Sequence, residues 1–225
     1  MHTSDLSSAR VRTSRSAGVL AALAIALVLG GCSALPDKPQ RAVLYDFGPA
    51  PAASTAAAAP DAPRLATLTL AEVEANTRLD GTQLLYRLGY ADANELRPYG
   101  QSRWSQAPAQ LLRQRLRDNL SQRRMVLEPE ESATIARAEV KPRTLRIALE
   151  EFTHYFEAPS RSVGLVRVRA TLTQATVGGD HVLGQRVFTA RQPAPSADAA
   201  GGVKALAASS DSVVAEIAAW VDQIR

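Results

Sequence analysis

The stretch Arg143–Arg191, RTLRIALEEFTHYFEAPSRSVGLVRVRATLTQATVGGDHVLGQRVFTAR, decides the fold class. Leu145, Ile147 and Leu149 alternate with polar or small residues, the period-two pattern of a half-buried strand. After Glu150-Glu151 the phase slips, and Phe152, His154 and Phe156 take over. A one-residue slip in such a pattern predicts a bulge or bend within one strand. Val166, Val168, Ala170 and Leu172 then alternate with Arg167, Arg169, Thr171 and Thr173. Gly178-Gly179-Asp180 is a turn signal, and Val182–Arg191 returns as a further strand. Residues 143–191 are therefore expected to form an antiparallel three-strand meander.

Towards the C-terminus, Gln192-Pro-Ala-Pro195 breaks the strand pattern. Ser196 is the expected N-cap of a final helix, with Asp198 near the positive end of its dipole. Val203, Leu206, Ser210, Val213, Ile217, Val221 and Ile224 follow helical steps, while Gly201-Gly202 moves the expected start later. Upstream, Ser105–Arg123 also has a helical period. Leu111, Leu112, Leu116 and Leu120 share one face, and Pro108 suits a first turn, where its missing N–H is not needed. Met125–Leu127 is a short strand candidate, followed by an acidic loop at Glu128, Glu130 and Glu131.

Further upstream, Leu84, Tyr86, Leu88 and Tyr90 alternate with Leu85, Arg87, Gly89 and Ala91, a strand that follows an Asp80-Gly81 turn. Leu65–Val73 and Arg41–Phe47 are β-rich. Between them, residues 49–63 are almost all Ala and Pro, a composition that cannot build a core. This segment reads as a surface loop within one domain spanning residues 41–225, with a domain boundary as the alternative. The sum is α/β: a two-layer sandwich with a mixed or largely antiparallel sheet of about six strands and two main amphipathic helices.

The N-terminus reads as an address. Arg10, Arg12 and Arg15 precede the 13-residue apolar run Ala17–Leu29. That is shorter than the roughly 20 residues a membrane-spanning helix needs, and fits the core of a signal peptide. Leu29-Gly30-Gly31-Cys32 resembles the lipobox of bacterial lipoproteins, and Cys32 is the single cysteine of the chain. The resemblance implies a signal peptide over residues 1–31, cleavage before Cys32, and a diacylglycerol and an N-acyl chain on Cys32. A tether would follow over residues 32–40. Ser33 rather than Asp follows Cys32, which in this class implies the outer membrane, periplasmic face, rather than inner-membrane retention.

Composition narrows the chemistry. Of 26 basic residues only Lys38, Lys141 and Lys204 are lysines, and the formal net charge is +4. Residues 1–31 hold three arginines and Asp5, so cleavage would lower the charge to +2, which does not suggest a nucleic-acid partner. One cysteine excludes a disulfide within the chain and a cysteine-based metal cluster. His154 and His181 are too far apart in sequence to suggest a zinc site, and no hydrolase elbow or phosphate-binding loop is present. Adjacent Glu150 and Glu151 are expected on opposite faces of their strand. His154 could be a ligand or a base, but a packed strand residue is the expectation. Arg78, Arg87, Arg97 and Arg103, set among Tyr86, Tyr90, Tyr99 and Trp104, raise a phosphate or lipid-headgroup reading beside that of plain surface cations.

The segment Leu79–Asp92, LDGTQLLYRLGYAD, continues through Glu95–Tyr99, Ser102–Trp104 and Pro108–Leu112. With Tyr45–Gly48, Leu149–Phe152 and Arg191–Pro195 it resembles the ABC-type transport auxiliary lipoprotein family. That resemblance implies a non-enzymatic lipoprotein subunit. It would act beside an MCE-domain protein and its ABC permease and ATPase, in transport of phospholipids or related lipids between inner and outer membranes. It implies no cofactor and no metal. It leaves Asp80, Gly81, Tyr86, Arg87, Tyr90, Arg97, Tyr99, Arg103 and Trp104 as a signature, either structural or partner-binding. An envelope-structural or assembly lipoprotein that binds another periplasmic machine is the alternative. The sequence speaks neither to the lipid and its direction nor to oligomeric state.

Overall fold

The computed structural model describes residues 41–49, 64–135 and 141–224. The signal segment, Cys32, the tether and most of the Ala/Pro stretch lie outside the described residues. In chain order the elements are β1 (Val43–Tyr45), β2 (Leu68–Ala75), β3 (Gln83–Leu88), β4 (Arg97–Trp104), α1 (Pro108–Leu120), β5 (Val126–Leu127), α2 (Pro129–Ile135), β6 (Arg143–Ala158), β7 (Arg161–Thr176), β8 (Gly179–Pro193) and α3 (Ala199–Gln223). A single turn of 3-10 helix, Thr77–Leu79, precedes β3.

The expected meander forms: β6 pairs antiparallel with β7, and β7 with β8. The register shifts between Leu149 and Glu151, at the predicted bulge. On its other edge, β6 carries two parallel partners in succession, β2 along its first half and β3 along its second. Beyond β3 lie antiparallel β4 and then parallel β1, while β2 pairs parallel with β5. The result is one mixed sheet of eight strands that curls into a half-barrel, rather than the expected two-layer sandwich with a sheet of about six strands.

Two elements were not expected. β4, with the sequence RPYGQSRW, has no apolar alternation and contains Pro98 and Gly100, so it looks like a loop. Its strand conformation comes from partners on both sides. α2 occupies the acidic segment read as a loop, with Glu130 and Glu131 in its first turn, near the positive end of the helix dipole. The strand expected through Tyr90 ends at Leu88, because Gly89 and Tyr90 turn the chain.

α1 and α3 cover one face of the sheet, α3 against β6–β8 and α1 against β2 and α3. Between them lies a core of Leu70, Leu84, Leu112, Leu116, Leu145, Ile147, Val166, Val168, Leu206 and Ile217 among others. The N-cap of α3 is Asp198, not Ser196: the Asp198 carboxylate accepts from Gly201 N at 2.7 Å, and Ser196 Oγ donates to it at 2.8 Å. Gly201-Gly202 lies inside the helix rather than ahead of it. Glycine costs about 1 kcal/mol relative to alanine in a helix, and Gly202 is retained by close packing: a Cβ there would stand 2.4 Å from His154 Nδ1. The helix and sheet backbones also touch at Gly164 on β7, where a Cβ would meet the Ala205 carbonyl carbon at 2.3 Å. Ser209 Oγ seals that contact by donating to Gly164 O at 2.6 Å.

Candidate functional site

The signature block, Asp80–Trp104, folds as the β3–β4 hairpin and its entry turn, and the sheet divides its residues between two faces. Asp80 and Gly81 form the exposed bend before β3. Tyr86 and Tyr99 point to the helix-covered face, 4.6 Å apart between ring centroids. There they join Phe156 and His154 of β6, with Tyr86 6.1 Å from Phe156 and His154 4.4 Å from Phe156. Trp104, 1% exposed, packs edge-on to Phe47 and Phe152 at 5.7 and 5.5 Å. Offset and edge-to-face aromatic pairs add about 0.5–1.5 kcal/mol beyond burial. Tyr86, Tyr99 and Trp104 are thus structural in this fold. Tyr90 alone of the signature tyrosines is largely exposed, at 48%.

A polar chain runs through the aromatic cluster. The Tyr99 hydroxyl lies 2.8 Å from His154 Nδ1, and Ser162 Oγ of β7 lies 2.8 Å from His154 Nε2. His154 is fully buried and Ser162 is buried beside it. Burial holds the imidazole neutral by lowering its pKa to about 4, while the Asp198 carboxylate pulls the other way. Burial also raises the Tyr99 phenol well above its ordinary value. A neutral imidazole has one donor and one acceptor, so it passes one hydrogen bond on to Ser162 or to Tyr99. The Ser162–His154 pair has the composition of a nucleophile and a base. However, Gly202 of α3 closes over the ring. The arrangement satisfies buried polar groups and fixes the crossing of α3 over the sheet.

On the outer face, the bulge overturns the expected placement of Glu150 and Glu151. Both reach arginines on the same side, because the extra residue cancels one step of the alternation. Glu150 pairs with Arg167 at 2.9 Å and with Arg169, and Glu151 pairs with Arg78 at 3.2 Å and Arg87 at 3.7 Å. Glu150 is therefore across the sheet from His154.

The four arginines of the headgroup reading do not gather into one anion site. Arg87 donates to the carbonyls of Ala93 and Asn94, both at 3.2 Å, and so ties down the loop after β3. Arg97 pairs with Glu95, whose carboxyl it holds below the usual range. Arg103 donates to Tyr99 O at 2.6 Å and Ser102 O at 3.0 Å. Arg78 serves Glu150 O and Glu151.

Two buried arginines carry no sequence signal. Arg115 of α1, 5% exposed, donates to the carbonyls of Phe47, Gly48 and Pro49 at 2.8, 3.1 and 3.3 Å and lies 3.4 Å from Asp211. Burial raises the Asp211 carboxyl and Arg115 opposes it. Arg124, 9% exposed, pairs with Asp222 near the end of α3. Arg124 lies in the bend after α1, and Arg115 falls between Leu111 and Leu112 around the helix, a position whose burial its charge disguises. Among the described residues no group of three or more His, Cys, Asp or Glu could hold a metal ion, and no helix is long and apolar enough to cross a membrane.

The architecture is that of a small α/β domain, a curled mixed sheet with two main helices on one face, and of its signature residues Tyr86, Tyr99 and Trp104 are committed to packing. The family model for the ABC-type transport auxiliary lipoprotein component matches residues 45–218, and the chain belongs to that family. The fold is shared with solved structures. Protein XCC0632 from Xanthomonas campestris, assigned to the family DUF330, is similar at 20% identity and a TM-score of 0.59, over 72% of this chain and 87% of that one. The crystal structure of an uncharacterized protein is similar at 14% identity and a TM-score of 0.56, over 81% and 99% of the two chains. None of the curated proteins matches the sequence.

Proposed function

We propose that the protein is a non-enzymatic, outer-membrane-anchored subunit of an MCE-type ABC system that moves phospholipids or related lipids across the periplasm. The observation that carries this reading is the family match over residues 45–218 downstream of a lipobox ending at Cys32. Acylation of Cys32 would supply two or three chains, and about two suffice for a stable anchor. A binding role is consistent with a histidine and serine that are buried rather than presented to a substrate. The partners are then an MCE-domain protein with its permease and ATPase.

Affinity purification of the acylated protein from mildly crosslinked envelope membranes, with Cys32→Ala as control, tests this. Recovery of an MCE-domain protein and ABC subunits is the expected result. Recovery of cell-wall synthases or assembly factors in their place would overturn it in favour of an envelope-assembly role.

A further inference from the structure

At the end of the sheet where parallel strands β5, β2 and β6 begin and β7 ends, the surface sinks into an open cavity of about 500 Å³. Ala66, Leu127 and Pro142 give it apolar walls, and Met125, 55% exposed, forms its rim. Lys141 and Arg143 also line it, and among the described residues no carboxylate lines it. The outer sheet face is the opposite case: Arg146, Arg167 and Arg191 each face an acidic partner in Asp180, Glu150 and Glu157.

The cavity walls are held by main-chain pairing. Leu68 N donates to Met125 O at 3.0 Å, Thr69 pairs with Leu127, and Leu68 pairs with Arg143. Gln174 Nε2 donates to Lys141 O at 2.8 Å, and Arg143 spends one guanidinium nitrogen on Ile224 O at 2.7 Å. A guanidinium has five N–H donors, so capacity remains for an anion. Preformed, mostly apolar concavities of about 300–1,000 Å³ with a few placed polar groups are the usual form of small-molecule sites. The unbranched thioether of an exposed methionine adapts to flexible apolar partners.

We infer that this cavity binds an anionic lipid, taking part of one acyl chain against Met125, Leu127, Ala66 and Pro142 and the phosphate or carboxylate head at Lys141 and Arg143. The inference deepens the transport reading and rests on it for the presence of lipid at this domain. It gives the subunit a lipid contact of its own, separate from its anchor.

The test is photocrosslinking in cells that process the full chain. A benzophenone amino acid replaces Met125 or, as control, Val187, which is exposed on the outer face of β8. Mass spectrometry of the irradiated, purified protein is expected to show a lipid adduct at 125 and none at 187. The adduct mass distinguishes a phospholipid from a fatty acid. Lys141→Glu, at an exposed site, should lower the adduct about threefold or more, the scale of one exposed charge contact. Ala66→Trp should abolish it by filling the cavity, with circular dichroism confirming the fold. Absence of adduct at 125, equal adducts at both positions, or adducts indifferent to Lys141→Glu would overturn the inference. Failure of crosslinking while the transporter subunits still co-purify sinks the cavity and leaves the proposed function standing. Loss of co-purification with the adduct retained does the reverse.

Discussion

The hydroxyl of Tyr99, on β4, lies 2.8 Å from Nδ1 of His154, on β6, although the two strands are not neighbours in the sheet. β3 lies between them, so the contact reaches across a strand through the helix-covered face. It links the signature hairpin to the meander through a polar chain that ends at Ser162. An unpaired buried donor or acceptor costs about 1–3 kcal/mol. That penalty makes the chain an all-or-none feature of the packed state.

A pH dependence follows from His154. Its folded pKa of about 4 lies below the ordinary value near 6.5. Between these limits the unfolded chain binds the proton and the folded chain does not, so stability rises with pH. Stability from this group is full above about pH 6.5 and is lost as pH falls towards 4, by up to about 3 kcal/mol. Urea unfolding across this range should show the loss. His154→Phe should have lower stability at pH 7 and lack that part of the slope.

Gly202→Ala is expected to destabilise the protein despite the better helix propensity of alanine. The new Cβ would stand 2.4 Å from His154 Nδ1, and overpacking of this kind costs about 1–3 kcal/mol. Gly100→Ala, with open space around its Cβ, should change stability by no more than about 0.5 kcal/mol. Equal midpoints for the two variants in thermal unfolding would refute the packing argument.

Arg115 holds the chain leaving β1 against α1 and α3. Arg115→Met removes donors from three carbonyls and leaves Asp211 without its cation, with an expected loss of about 3–5 kcal/mol. Arg115→Lys should recover only part of it, because an ammonium cannot reproduce the planar fork. Chemical denaturation of the three proteins measures the series.

Cys32→Ala should abolish incorporation of labelled palmitate and block processing of the precursor, as seen by metabolic labelling and gel mobility. A processed, labelled Cys32→Ala chain would contradict the lipobox reading of Leu29–Cys32.

Much of this fold is legible in residue order, because a strand with one buried face writes its period directly into the chain. Leu145–Leu149 and Val166–Leu172 show it, and even the bulge appears as a phase slip at Glu150-Glu151. The leucines of α1 mark their helix for the same reason. β4 is hidden because its pairing with β3 and β1, not the apolar content of RPYGQSRW, makes it a strand. The signature residues could be grouped in sequence but not assigned a face, since Tyr86 and Arg87 differ by one step and point to opposite sides.

The sequence by itself determined the meander, both long helices and the kinship with a lipoprotein family, all local patterns carried by consecutive residues. The tertiary structure alone decided that Glu150 and Glu151 share a face, that His154 is closed between Tyr99 and Ser162 beneath Gly202, that Arg115 is buried, and that Met125, Lys141 and Arg143 meet around one cavity. Those outcomes depend on which strands become neighbours and how closely α3 approaches them, and these distances arise only when the sheet curls and its segments pack.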